Sequence, residues 1–242
     1  MEITMMDFSP QIPVKLKLEK SIPQSILFLL VCINQLNLHS KSKDIEGWLC
    51  RYAGPTPFGR DIQVHFKPSN LGFKTIDDQP IPVYIQQHLL IRLDERLGLP
   101  TDVMHGHLFY WLYSGDISYK NEKDHSLITF NIHGIKVGYL LVTLHDNILL
   151  VRSFLFLTND GTAEGKKLRE LTKLEKYDKK YLGIDKLSTF NAYHIDQDGE
   201  LSELFREAGC GSLLEAGFLE TISTAYTPKR DPNELRKYLN QK

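Results

Sequence analysis

Hydrophobic and polar positions in the first third of the chain predict short elements separated by loops. The stretch VKLKLEK, residues 14–20, alternates apolar and charged side chains, which indicates a strand with one buried face. Pro23 suits the first turn of a helix that reaches about residue 38, although its dense apolar residues also fit a buried strand. Asp44 is a suitable N-cap for a short helix over residues 45–53. Frequent Pro and Gly between residues 54 and 82 surround one strand-like piece, DIQVHF, and predict a joint.

The second half of the chain has a more regular pattern. Residues 84–97 have the spacing of an amphipathic helix that ends at Gly98, and VMHGHLFYWLYSG predicts an aromatic-rich helix soon after it. Three strand-like runs follow, HSLITFNI, KVGYLLVTLH and ILLVRSFLFLT, separated by His133-Gly134 and Asp146-Asn147. Because Asn, Asp and Gly accept the positive φ of tight turns, this pattern predicts a three-stranded antiparallel meander.

The rest of the sequence is mainly helical. Thr162 is placed to cap a helix over residues 164–182, and helical segments are predicted at 199–209 and 231–241. Helices before and after an antiparallel sheet make the chain α+β, with a three-stranded or larger meander packed against several helices. The joint separates an N-terminal strand and helix segment, residues 1–80, from a main α+β domain, residues 81–242. Whether the first segment folds separately or belongs to the same domain stays open.

Composition narrows the class of protein. The 242 residues have a net charge of −1, which argues against a protein that coats DNA but is compatible with a local basic face. The apolar run ILFLLVCI is too short for a bilayer, since a membrane-spanning helix needs about 20 residues. Three cysteines without a C-x-x-C pair fit a reducing compartment. We therefore expect a cytoplasmic chain with no membrane segment.

The helix predicted at residues 84–97 carries a ridge of cationic side chains. These side chains lie four residues apart: His88, Arg92 and Arg96. Each step rotates the next side chain by only about 40° around the helix axis, so the ridge is continuous. Leucines with the same spacing run beside it and place it at the border of the buried face: Leu89, Leu93 and Leu97. The arginines there either pair with Asp94 or Glu95 or bind a phosphate or carboxylate from outside the chain.

A further arginine lies in the third strand of the predicted meander. Arg152 is the one charged residue in the run ILLVRSFLFLT. An unpaired arginine inside a core loses its hydration, which costs a free energy on the order of several kcal/mol. We therefore expect Arg152 either to face a cleft or to have an acidic partner.

These features together resemble the barnase–RelE-like class of ribonucleases and toxins. The segment QHLLIRLDERL is similar to the His- and Arg-bearing helix of some members, and the likeness extends from Ile81 to about Thr158. In such a family, cationic and hydroxyl side chains stabilise the pentacovalent phosphate and no metal is needed. The resemblance implies a role for His88 as acid or base. It implies phosphate clamps at three arginines: Arg92, Arg96 and Arg152.

Other motifs do not predict a metal or a cofactor. The two histidines of HGH, residues 105–107, point about 200° apart on a helix and cannot share an ion there. The stretch DQDGE, residues 196–200, has only part of a calcium loop and is better explained as a turn with charges at a helix N-terminus. The sequence lacks the motifs of P-loop hydrolases, Rossmann enzymes, serine hydrolases and zincins.

A basic segment lies between residues 166 and 181. Seven basic residues there meet three acidic ones, and Tyr177 and Tyr181 lie among them. A basic face interleaved with aromatic residues can bind nucleic acid. A solvated helix with i,i+3 and i,i+4 ion pairs has the same composition, so both interpretations stay open.

Two functional hypotheses from different classes remain. The first is an RNA-directed protein, with metal-independent ribonuclease activity in a phosphate-binding cleft formed by the cationic ridge and Arg152, and with the basic segment as an electrostatic guide. Its partner is RNA or another anionic ligand. The second is a non-catalytic protein-interaction module of a cytoplasmic assembly, whose aromatic residues form a core and a partner surface.

Overall fold

The computed structural model describes most of the chain from residue 65 onward and separate strands before it. The described residues are 2–6, 13–17, 33–35, 49–55, 61–63, 65–75, 77–100, 103–104, 107–108, 117–122, 124–145, 147–223 and 227–241. Two of the early strands form a hairpin, in which β1 (Glu2–Met6) pairs antiparallel with β2 (Pro13–Lys17). The alternating apolar and charged residues predicted this second strand correctly.

The next two strands replace helices expected from the sequence. β3 (Ile33–Gln35) lies in the region predicted as a helix up to residue 38, and β4 (Leu49–Pro55) covers most of the helix predicted after Asp44. The helix predictions are wrong for these residues, and in the first region the alternative of a strand holds at Ile33–Gln35. The rest of the two regions lies outside the described residues. β4 pairs with three other strands, so backbone hydrogen bonds along both of its edges outweigh the local helical signals.

Strands also form in the region before the helix that carries His88, Arg92 and Arg96. The strand-like piece DIQVHF forms β5 (Asp61–Gln63) and β6 (His65–Phe66), and a 3₁₀ turn follows at Pro68–Leu71. β7 (Ile81–Gln86) then leads into α1 (Gln87–Leu97). The helix therefore begins three residues later than predicted from Tyr84. Val83 and Ile85 are buried at every second position of β7, so this segment has the period of a strand.

The predicted meander is confirmed. After β8 (Tyr119–Asn121), β9 (Ser126–Ile132), β10 (Ile135–His145) and β11 (Ile148–Phe156) follow in sequence and are neighbours in the sheet. The first turn has positive φ at both predicted positions, 49° at His133 and 80° at Gly134. Among the described strands, the sheet order is β3-β4-β7-β11-β10-β9-β8, with β5 beside β4 and β6 beside β7. β7 and β11 are parallel, with Val83 opposite Leu149. The pairs β3–β4, β4–β5, β4–β7, β6–β7 and β8–β9 are antiparallel.

Helices follow the sheet, and their caps explain their ends. They are α2 (Ala163–Thr172), α3 (Lys176–Leu182), α4 (Leu187–Ala192), α5 (Gly199–Glu207) and α6 (Pro232–Leu239), with 3₁₀ turns at Ile195–Gln197 and Gly211–Ile222. Thr162 caps α2 as predicted, because its hydroxyl accepts a hydrogen bond from the backbone N–H of Gly165 at 2.8 Å. The single helix predicted over residues 164–182 is divided into α2 and α3, because Lys173 between them adopts the left-handed conformation. The chain is α+β, as the sequence predicted.

The chain contains two compact units. Unit 1 comprises Met1–Ile91, Thr101–Ile128 and Leu141–Ser153, and unit 2 comprises Arg92–Pro100, Thr129–Leu140 and Phe154–Lys242. The domain division predicted after residue 80 stays a prediction. Within the described ranges, no helix has the length and apolar content needed to cross a bilayer.

Candidate nucleic-acid interface

The arginines of the cationic ridge that belong to unit 2 are held by carboxylates. The leucines beside the ridge are buried, as their spacing predicted: Leu89, Leu93 and Leu97. Arg92 pairs with Glu95, one turn further along α1, at 2.7 Å and with both side chains well exposed. Arg96 is only 13% exposed and pairs with Asp185, whose backbone carbonyl also accepts from the guanidinium at 3.0 Å. Both arginines would have to give up these partners before they could hold a phosphate.

The Arg96–Asp185 pair is incompletely satisfied. Arg96 Nε and Asp185 Oδ1 are both buried and have no hydrogen-bond partner among the described residues. The short-range pairing that the sequence suggested holds for Arg92, while Arg96 uses a carboxylate 89 residues away. A buried ion pair with unsatisfied atoms contributes little net stability, although loss of one partner is costly.

The other two predicted site residues belong to unit 1 and are exposed. His88 lies in the first turn of α1, and Arg152 lies on β11 between buried Val151 and Phe154. No described residue forms an ion pair with Arg152. Because Arg152 is exposed, its guanidinium keeps its hydration. The strand can therefore carry this charge without an acidic partner. A shared anion site for the four residues stays a prediction.

The HGH and DQDGE motifs are not expected to bind a metal. HGH lies partly outside the described residues, and DQDGE contains a helix cap. His105 is outside the described residues, while His107 and Leu108 are helical. Asp198 of DQDGE caps α5 by accepting from Leu201 N at 3.1 Å and pairs with Arg236 at 2.5 Å. Burial alone would raise the pKa of Asp198, but these contacts hold it below its ordinary value. Across the described ranges, no three His, Cys, Asp or Glu side chains are grouped to hold a metal ion.

The basic segment, residues 166–181, separates into one buried lysine and an exposed basic surface. Lys179 is 2% exposed and pairs with Asp160, and its ammonium also donates to the carbonyls of Thr158 at 3.0 Å and Gly165 at 2.7 Å. All three ammonium protons therefore have acceptors inside the protein. Gly165 is required here because a Cβ would lie 1.9 Å from the carbonyl oxygen of Asn159.

The exposed part of the basic segment keeps its positive charge. Asp178 is buried like Lys179, so six basic and two acidic residues of the segment remain toward solvent or at its margin. The exposed cations are Lys166, Lys167, Lys173, Lys176 and Lys180. No described carboxylate forms an ion pair with any of them. The ion-pair explanation offered for this composition is therefore not seen among the described side chains.

The outward face of α3 combines two of these lysines with two tyrosines, and we call it the Lys–Tyr face: Lys176, Tyr177, Lys180 and Tyr181. Asp178, Lys179 and Leu182 are buried on the opposite side of the same helix. The side chains of Tyr177 and Tyr181 are 85% and 76% exposed. Tyrosine normally covers part of its ring when a protein folds, so two exposed rings among lysines make this face a candidate binding surface.

A neighbouring helix supports one of these rings. Tyr238 of α6 lies against Tyr181, with ring centroids 5.9 Å apart and an interplanar angle of 32°. The hydroxyl of Tyr238 donates to Asp178 Oδ1 at 2.6 Å. Asp178 in turn accepts from the backbone N–H of Glu175 in the capping box of α3. Tyr181 of α3 therefore packs against the ring of Tyr238, and the hydrogen bond from Tyr238 to Asp178 of α3 fixes the orientation of that ring.

A second polar cluster in unit 2 was not found from the sequence. Lys136 Nζ donates to Glu164 Oε1 at 2.6 Å and to the Tyr139 hydroxyl at 2.7 Å. Burial opposes the charge of Lys136, but the hydrogen bonds to Glu164 and Tyr139 raise its pKa; burial raises the pKa of Tyr139. Burial, aided by the charge of Glu164, raises the pKa of the Cys210 thiol to about 12. The Cys210 thiol is therefore not ionised near neutral pH, and the hydrogen bonds of Lys136 and Tyr139 to Glu164 tie β10 to α2.

A surface pocket of about 170 Å³ near α4 is unsuited to an anion. Its polar lining includes His194, Asp196 and Glu220, and both carboxylates are exposed. Negative charge there would repel a phosphate. The Lys–Tyr face is therefore the best candidate for an anionic ligand in the described part of unit 2.

No family model, curated protein or solved structure matches the chain.

Proposed function

We propose that this protein binds RNA through the Lys–Tyr face and the exposed lysines of α2 beside it in the sequence. The observation that carries the proposal is the excess of exposed positive charge in residues 166–181, which no described carboxylate neutralises. Lysines attract phosphates along a strand without reading its sequence, and counterion release makes the interaction favourable at low salt.

The exposed tyrosines favour RNA as the ligand and argue against a protein that coats duplex DNA. Tyr177 and Tyr181 offer ring faces, whereas proteins that coat duplex DNA need a strongly positive net charge and this chain has −1. An acidic protein partner would also be attracted by the lysines. It is the competing outcome of the binding experiment below.

RNA cleavage without a metal is a second proposal. The exposed Arg152, which has no described ionic partner, supports it, together with the exposed His88 and the likeness to the barnase–RelE class. It requires Arg92 and Arg96 to exchange Glu95 and Asp185 for a phosphate. RNA degradation in EDTA tests this proposal, and we expect loss of cleavage when Arg92→Ala and Arg152→Ala are combined. Cleavage by the double variant at the wild-type rate would exclude the clamp.

Binding is tested with a fluorescent single-stranded RNA by anisotropy over a series of salt concentrations. The double variant Lys176→Gln/Lys180→Gln should weaken binding about ten-fold at fixed salt and reduce the slope of log K against log salt by about 1.4. The matched control is Lys74→Gln/Lys120→Gln, which removes two other exposed lysines. The control should change affinity less than about two-fold, because loss of net charge alone acts weakly at physiological salt.

Two results would contradict the proposal. One is the absence of RNA binding at low salt by the wild-type chain. The other is an equal loss in the two double variants, because this would show a diffuse effect of net charge. Binding of an acidic protein that both lysines support, without RNA binding, would replace RNA by a protein ligand.

A further inference from the structure

We infer that the Lys–Tyr face recognises unpaired bases, with Tyr181 as the residue on which a base stacks and Tyr238 as the residue that positions it. The inference rests on the proposed RNA binding and specifies the form of RNA that is bound. It predicts a preference for single strands over duplexes, which lysines alone do not provide.

The spacing on α3 supports this role. Lys176 and Lys180 are one turn apart, and so are Tyr177 and Tyr181, which gives each pair a separation of about 6 Å along the helix axis. The lysine pair and the tyrosine pair therefore form two rows along the exposed side of the helix, and Tyr177 and Lys180, three residues apart, are surface neighbours. A nucleotide offers the matching chemistry, since it carries a phosphate for the ammonium and a base for the ring.

The support under Tyr181 distinguishes it from Tyr177. One side of the Tyr181 ring faces Tyr238, and the side chain nevertheless remains 76% exposed. A ring already packed on one side loses less conformational freedom when a base covers its other side. Tyr177, at 85% exposure, has no described ring beside it and must be ordered by the ligand. We therefore assign the larger contribution to Tyr181.

Duplex RNA cannot use this surface in the same way. Its base faces are covered by neighbouring base pairs, and its major groove is too deep and narrow for side chains to read. A duplex would contact the lysines through its phosphates and leave the rings unused. Single strands and unpaired loops expose the base faces that tyrosine can stack on.

The experiment compares the single-stranded RNA with a duplex of the same length, at one salt concentration, in four variants. Tyr181→Ala should weaken single-strand binding about ten-fold and duplex binding less than two-fold, while Tyr181→Phe should keep wild-type affinity for both, because stacking is worth about ten-fold per base. Tyr238→Ala should weaken single-strand binding about three-fold, and Tyr238→Phe should restore most of it by keeping the ring. Circular dichroism melting checks that each variant is folded.

A direct readout comes from Tyr181→Trp, which puts an indole at the stacking position. Its fluorescence, taken as the difference from the wild type with its two native tryptophans, should fall on addition of single-stranded RNA and stay constant with duplex RNA. Equal affinity of the wild type for both RNAs, or a Tyr181→Ala variant that binds the single strand normally, would overturn base recognition. RNA binding itself would still stand if Lys176→Gln/Lys180→Gln weakened it. If no RNA form binds the wild type, the proposed function and this inference fail together.

Discussion

Arg92 and Arg96 on α1 have the same four-residue spacing as Lys176 and Lys180 on α3, yet the two pairs meet different surroundings. Both arginines contact carboxylates, whereas neither lysine has an ion pair with a described residue. The comparison teaches that spacing predicts a ridge of charge but not its availability. Availability depends on acids brought near by the fold, such as Asp185 beside Arg96.

The same difference separates two adjacent residues of α3. Lys179 is buried among three acceptors, while Lys180 is exposed on the Lys–Tyr face. A turn of 100° around the helix axis therefore separates a structural cation from one that can bind a ligand. Substitutions can measure the difference, and the largest effect is expected at Lys179.

Lys179→Met should reduce the free energy of unfolding by about 3 kcal/mol, because it leaves Asp160 and two carbonyls without their donor. Asp160 is partly exposed and regains some hydration, which places the effect at the low end for a broken buried pair. Urea unfolding followed by circular dichroism measures it. The matched variant Lys180→Met should change stability by less than about 0.5 kcal/mol. Equal effects of the two variants would refute the distinction.

Arg96→Met should cost about 2 kcal/mol, because Asp185 loses its counterion. The cost is below that of a fully satisfied buried pair because Arg96 Nε and Asp185 Oδ1 already lack described partners. A double-mutant cycle with Asp185→Leu sharpens the result. The double variant should be more stable than either single variant, because it also removes the unsatisfied Arg96 Nε and Asp185 Oδ1. Additive losses would show that the two side chains do not interact in solution.

Tyr238→Phe should cost about 1 kcal/mol, the usual net value of one hydrogen bond, here the bond to Asp178. The phenyl ring still packs against Tyr181, so single-strand RNA affinity should stay near that of the wild type. Tyr177→Phe is the matched control, because its hydroxyl is on a fully exposed side chain and its loss should not affect unfolding. A strong loss of RNA binding in Tyr238→Phe would assign that hydroxyl to the ligand.

Arg92→Met should have the smallest effect, below about 0.5 kcal/mol, because its pair with Glu95 is exposed and screened by salt. The same urea experiment, repeated in 1 M NaCl, should reduce even this difference. A loss comparable to that of Arg96→Met would mean that exposure does not distinguish the two arginines of α1.

Local signals predicted one turn and one helix cap of the described chain correctly. The His133-Gly134 turn and the Thr162 cap depend on residues that are neighbours in sequence, and both are present as expected. The signal for Lys179 was also available, since it lies three residues before buried Leu182 on the same helical face. The break at Lys173 was not predicted, because lysine rarely adopts positive φ and no glycine marks the position.

Long-range pairing explains the errors. Residues 49–53 of the helix expected after Asp44, and the first three residues of the helix expected from Tyr84, are strand, because β4 and β7 pair with each other and with further strands. Local propensity is weaker than the hydrogen bonds and burial of a sheet. No spacing within a 20-residue window shows which strands will be neighbours.

Residues close together in the sequence were enough to predict the α+β class, the meander with its first turn, the helix faces and the positive charge of residues 166–181. Tertiary structure alone decided that Asp185 holds Arg96 across 89 residues and that Tyr238 supports Tyr181 while binding Asp178 across 60. The energies of ion pairs and ring contacts depend on distances in space. The fold sets those distances, and with them which cations stay open to a ligand.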